Sequence, residues 1–116
     1  PRIPATSDKN PIQNNHVKLK DCPANLEIGH SVFSFEEFKI KKIPNNLALK
    51  FYGNGDVIIY INGEKVLEKY LRTKRHYDDI NLSNHINKLK KGLNKIAIEI
   101  NNPTANGQFD YGLYIF

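Results

Sequence analysis

The most constraining feature of the sequence is the stretch from Leu47 to Tyr70, LALKFYGNGDVIIYINGEKVLEKY. Leu47, Leu49 and Phe51 alternate with polar or small residues, the period-two signature of a strand with one buried face. Val57 to Ile61 is rich in β-branched residues. Asn62-Gly63 follows, the dipeptide best suited to the positive φ angles of a two-residue hairpin turn. Glu64 to Tyr70 returns with Val66 and Leu67 as its apolar content. With Gly53-Asn54-Gly55 as a polar bend, the stretch predicts an antiparallel meander of three strands. No catalytic group is visible in it.

The flanking segments read as further short strands. Pro1 to Asn15 is polar, carries Pro1, Pro4 and Pro11 and lacks periodicity, which predicts a linker or extended arm over residues 1–16 and a single module over 17–116. Val17 to Lys20 is a first short strand, broken at Cys22-Pro23 because proline cannot donate to a ladder. In SVFSFEEFKIKKI, Phe33 and Phe35 alternate in one register and Phe38 and Ile40 in the next, which predicts a β-bulge at Glu36-Glu37. A helix with Phe35, Phe38 and Lys42 on one side is the competitor; Pro44 and the Phe/Ile content favour the strand.

Leu71 to His76 is a basic connection, and Tyr77 to Leu82 is a strand with Ile80 and Leu82 inward. Ser83 is placed to cap a helix of about two turns over Asn84 to Lys91, with Gly92 as its C-cap. Leu93 to Asn101 is a strand with Ile96, Ile98 and Ile100 on one face, and NNPTANGQ is a loop. Phe109 to Phe116 closes the chain with Phe109, Tyr111, Leu113 and Ile115 together. Seven or eight short strands with one short connecting helix predict an all-β, antiparallel β-sandwich.

Composition excludes several function classes. A chain of 116 residues can bury one core without extra staples. No apolar run approaches the roughly 18 residues that cross a membrane, and no signal segment is visible. Pro1 as the first residue predicts a chain processed or cut from something longer. The single cysteine, Cys22, rules out an internal disulfide framework and a multi-cysteine zinc site, and reads as a free thiol in or beside the core. The net charge of +5 rests on lysine, with only Arg2, Arg72 and Arg75 as arginines, which counts against nucleic acid as a partner.

Few residues suggest chemistry. Asp78 and Asp79 are adjacent, so a strand sends them to opposite faces and they cannot act as a paired acid and base. His16, His30, His76 and His85 show no metal-ligand spacing, and no motif supports a cofactor or a structural calcium ion. Gly53-Asn54-Gly55 lacks the helix and Lys-Ser/Thr of a phosphate loop. Basic clusters occur at Lys39, Lys41 and Lys42; at Arg72, Lys74 and Arg75; and at Lys88, Lys90, Lys91 and Lys95. Where two of them meet, anionic glycan or nucleic acid would be attracted. Tyrosines are the candidates for stacking on sugar rings; several belong to the core, since alternation sets Tyr60 opposite Ile59 and Ile61 and Tyr111 beside Leu113. Tyr77, beside Arg75, His76 and Asp78, is the favoured one.

Three pieces together, DVIIYINGEKVLEKY, LKKGLNKIAIEINN and NGQFDYGLYIF, resemble the galactose-binding-like, jelly-roll modules attached to bacterial glycoside hydrolases. The sugar-binding domain of the β-galactosidase and β-glucuronidase superfamily is one such relative. The resemblance spans Phe33 to Phe116, and the chain departs from the pattern in having no tryptophan. It implies a jelly-roll sandwich and a non-catalytic accessory module, because hydrolysis in that superfamily resides on a separate barrel of about 200 or more residues. It also implies an extracellular, periplasmic or cell-surface parent. The implied partners are the parent's catalytic domain and an oligosaccharide or polysaccharide, anionic ones included. Jelly-roll modules bind through loops at one end, which points to Arg75, His76, Tyr77, Asp78, Asn102, Asn106 and Gln108. The amides among them suit sugar hydroxyl pairs. Two other readings stay open: a protein-interaction or cell-surface assembly module without a sugar ligand, and, less favoured, a basic nucleic-acid-binding domain.

Overall fold

The structure, a computed structural model, describes residues 17–21, 24–26, 28–72, 77–104 and 107–115. Its strands are β1 (Val17–Asp21), β2 (Ala24–Leu26), β3 (Val32–Ile40), β4 (Leu47–Tyr52), β5 (Asn54–Ile61), β6 (Glu64–Arg72), β7 (Asp78–Asn81), β8 (Gly92–Asn101) and β9 (Gly107–Ile115). A 3-10 helix, Ser83–Lys88, joins β7 to β8. The arm expected over residues 1–16 and the thiol of Cys22 lie outside the described residues.

Two antiparallel sheets form a sandwich. One runs β1-β9-β4-β7, with β2 also pairing β9; the other runs β3-β8-β5-β6. From β2 to β9 the chain changes sheet at every connection except the β5–β6 hairpin, the crossing pattern of a jelly roll. The expected all-β sandwich is observed.

Alternation explains the core. Leu47, Leu49 and Phe51 of β4 and Phe109, Tyr111 and Leu113 of β9 face inward from one sheet. Val57, Ile59 and Ile61 of β5 and Ile96, Ile98 and Ile100 of β8 face them from the other. All twelve are fully buried. Each such side chain contributes about 1.5–3 kcal/mol of burial energy.

Four expectations are corrected. The meander does not form: β4 pairs β7 and β9, whereas β5 crosses to the opposite sheet and pairs β6 and β8. The crossing falls at Gly53, between the two strands; just inside β5, Gly55 has φ +129°, and a Cβ there would lie 2.8 Å from the Asn101 carbonyl oxygen.

β3 carries no bulge: it pairs β8 in unbroken register from Val32↔Ile100 to Ile40↔Gly92. Its inward face is Ser34, Phe38 and Ile40 with the half-buried Val32 and Glu36, so Phe33 and Phe35 point outward. A register shift falls instead between Ile59 and Tyr60 in the β5–β6 hairpin.

The helix is a single short 3-10 segment whose N-cap is Leu82, without a side-chain cap. Ser83 Oγ instead accepts from the Leu47 N–H at 3.1 Å, and Gly92, at φ +90°, starts β8. Finally, β6 runs to Arg72 with Leu71 buried, so the basic connection starts later than expected.

The Asn62-Gly63 turn does form, with φ of 51° and 84°. Asn62 does more than turn the chain. Its amide donates to the Lys88 carbonyl at 2.7 Å and to Asn94 Oδ1 at 3.0 Å, and its Oδ1 accepts from the Lys95 N–H at 2.8 Å. Asn94, fully buried, accepts from the Lys90 N–H and donates to the carbonyls of Lys90 and Gly92. Two amides thus pin the 88–95 segment against the hairpin.

Candidate functional site

Each sheet has an outer face, and the two differ. On the five-stranded sheet the face carries Lys50 and Tyr52 of β4, Asp79 of β7 and Asp110 and Tyr114 of β9, with Tyr77 just before β7. It is closed: Lys50 is 1% exposed, Asp110 3% and Tyr77 6%. The Tyr77 hydroxyl donates to Asp110, and its ring lies 5.5 Å from that of Tyr52 at a tilt of 54°. Lys50 Nζ donates to Asp79 Oδ1 at 2.5 Å, reaching the rim, where the Asp79 side chain is 62% exposed.

The outer face of the four-stranded sheet is open. Phe33 is 63% exposed and Phe35 51%. Cross-strand register sets Phe35 opposite Ala97 and Ala97 opposite Tyr60. Two aromatic side chains therefore stand on either side of a small, buried floor, roughly two strand spacings or about 9–10 Å apart. This trough is part of a hollow of about 650 Å³ that Asn62, Lys90, Leu93 and Lys95 also line. Lys95 Nζ sits 5.9 Å from the Phe35 ring centroid, a cation–π contact.

Towards the other end of the same face lies a polar hollow of about 470 Å³, lined among others by Ser31, Asp56, Tyr70, Asn101 and Asn102. Its groups are linked: Ser31 Oγ donates to Asn101 Oδ1 at 2.7 Å, and Asn102 Nδ2 donates to Asp56 Oδ2 at 3.3 Å. Glu99, between the hollows, accepts from the Tyr60 hydroxyl at 3.2 Å and from the Asn101 amide at 3.0 Å. Partial burial, then the hydrogen bond from its hydroxyl to Glu99 and the Glu99 charge, raise the Tyr60 phenol above its ordinary 10.0. Aromatic faces beside amides and carboxylates can stack on the C–H faces of a sugar and hydrogen-bond its hydroxyls.

Of the expected ligand residues, Tyr77, Asp78 and Asn102 have described side chains, and these three do not gather in one hollow. Tyr77 offers no free ring face, because burial against Tyr52 and the bond to Asp110 occupy it. Asp78, half-buried, stands opposite Phe51, and Asp79 on the other side of β7 bonds Lys50. Asn102, with φ of 52°, lies at the polar hollow of the open face. Arg75, His76 and Asn106 lie outside the described residues, and Gln108 is described by its backbone, paired with Asn25. Residues missed in the sequence are Phe33, Phe35 and Tyr60. Among the described residues no three of His, Cys, Asp or Glu gather as a metal site, and no helix is long and apolar enough to cross a membrane.

Fold and face together define a jelly-roll β-sandwich domain with one outer face closed and one open. No protein-family model matches the chain, and no curated protein matches it. Among solved structures it is similar to part of an α-L-rhamnosidase from Streptomyces avermitilis, with 13% identity and a TM-score of 0.57 over 77% of this chain and 9% of that one. A glycosyl hydrolase family 2 member from Bacteroides cellulosilyticus matches with 15% identity and a TM-score of 0.55 over 74% and 13% of the two chains. An α-L-rhamnosidase from Aspergillus terreus matches with 13% identity and a TM-score of 0.52 over 91% and 16%. At these identities the likeness is one of fold. The chain spans between 9% and 16% of the length of these proteins, so it corresponds to one domain within much larger chains.

Proposed function

We propose that the chain is a non-catalytic accessory domain of a larger, exported glycan-active protein, and that it binds saccharide on the open face of its four-stranded sheet. The observation that carries this reading is the trough of Phe35, Ala97 and Tyr60, with Phe33 beside it, on a face where hydrogen-bonding groups continue to Asn101 and Asn102. The non-catalytic part is supported by the carboxylates: Asp78 and Asp79 point to opposite sides of β7, and Glu99 is held by two donors. The fold likeness to small portions of glycoside hydrolases supplies the context.

A glycan array followed by calorimetry on the 116-residue chain tests the reading. Binding is expected for at least one saccharide class, with Phe35→Ala weakening it about three- to tenfold, the worth of one aromatic contact. Absence of binding across plant, host and microbial glycans would overturn it. The exposed cluster of Phe33, Phe35 and Leu93 would then favour a second reading, in which this face packs against another domain of the parent.

A further inference from the structure

The open face is not uniform in charge. The aromatic hollow is lined by two lysines, Lys90 and Lys95, and by no carboxylate, whereas the polar hollow holds two carboxylates, Asp56 and Glu68, and one lysine, Lys69. Other lysines with carboxylates in reach are neutralised: Lys65 bonds Glu68 at 2.8 Å, Lys88 bonds Glu64 at 2.9 Å, and Lys50 bonds Asp79. Lys95 stands opposite Glu37 on β3, yet its ammonium leans over the Phe35 ring, and neither it nor Lys90 forms an ion pair among the described residues. Their backbones are also fixed, since Asn94 clamps Lys90 and Asn62 holds the Lys95 N–H. Two unneutralised cations on a pinned segment, beside exposed aromatic rings, form an anion site with an apolar wall.

We infer that the saccharide taken by this face carries an anionic group, seated between Lys90 and Lys95, with its neutral residues running toward Asp56 and Asn102. The inference rests on the saccharide reading above and gives the ligand a class and a direction. A pyranose stacks its C–H face on Phe35 or Tyr60 while its charged substituent meets the ammonium groups. Lysine is a point charge without the planar fork of arginine, so a carboxylate and a sulfate are both accommodated. A nucleic acid is disfavoured, because its regularly spaced phosphates would run past Glu37, Glu99 and Asp56 on the same face.

The test is calorimetry of the 116-residue chain with tetragalacturonate, its methyl ester, a chondroitin sulfate tetrasaccharide and an oligothymidylate. Lys90→Gln, Lys95→Gln and Phe35→Ala are compared, each checked for an unchanged melting temperature. The acid or the sulfated sugar is expected to bind about tenfold more tightly than the ester, and which of the two prevails distinguishes carboxylate from sulfate. Each lysine variant is expected to lose about three- to fivefold for the anionic sugar and nothing for the ester, the range of an exposed ion pair. Phe35→Ala should weaken both. Equal affinity for acid and ester, or lysine variants without effect, would overturn the anionic assignment and leave saccharide binding standing. Failure of every sugar would remove both, and preference for oligothymidylate would replace them with nucleic-acid binding.

Discussion

The two outer faces of this sandwich carry similar residue types and put them to opposite uses. On the five-stranded sheet Tyr52, Tyr77, Lys50 and Asp110 are turned toward one another, and Lys50, Tyr77 and Asp110 are buried. On the four-stranded sheet Phe33, Phe35, Tyr60 and Lys95 remain exposed or half-exposed, with Lys95 over a ring and in no ion pair among the described residues. A tyrosine or lysine therefore signals a binding surface only where its face is open. On the closed face the same chemistry holds the fold together.

The largest test of this contrast is stability. Tyr77→Ala removes a buried ring and its hydrogen bond to Asp110, and is expected to lower unfolding free energy by about 3–5 kcal/mol. Phe35→Ala on the open face should lower it by less than about 1 kcal/mol. Urea denaturation measures both, and equal losses would mean that the open face is structural too.

A smaller effect separates the members of the Lys50–Asp79 pair. Asp79→Asn leaves the buried ammonium with a weaker partner and should destabilise by about 1–2 kcal/mol, moderated because water reaches the Asp79 side. Lys50→Met, which fills a similar volume without a charge, should be close to neutral by the same denaturation measurement.

The smallest effect is spectroscopic. The Tyr60 phenol titrates above its ordinary 10.0, so the folded state favours the neutral hydroxyl. That preference is fully present below pH 10 and is lost as pH rises through the elevated value. Glu99→Gln should bring the Tyr60 titration down, read by phenolate absorbance, whereas the unmutated chain should not show the lower value.

The sequence reveals most where alternation is clean. Ile96, Ile98 and Ile100 in β8 and Phe109, Tyr111 and Leu113 in β9 lie inward as their spacing predicts, and Asn62-Gly63 makes its turn. Alternation says which side of a strand is apolar, but not which strand lies beside it, so the crossing between β4 and β5 was hidden. It also fails where the inner face is mixed. β3 buries Ser34 and half-buries Glu36, so hydrophobicity alone placed Phe33 and Phe35 inside and obscured the open face. Tyr77 shows a complementary limit: its place beside Arg75, His76 and Asp78 in the sequence does not tell that its ring is buried against Tyr52.

The alternation of the chain between sheets has a kinetic consequence. Among the described strands β5 and β6 are the one sequence-adjacent pair that shares a ladder; the other pairings, from β4–β7 to β1–β9, join strands separated by at least one other strand. Closing such loops costs entropy before any contact repays it. The domain therefore belongs among slowly folding topologies, on the order of milliseconds to seconds, with the Asn62-Gly63 hairpin as the local structure available first. Asn62 ties that local hairpin to the rest of the sheet: its side chain meets Lys88, Asn94 and Lys95 only when β8 lies beside β5, so pinning of the segment that bears Lys90 and Lys95 depends on a long-range pairing.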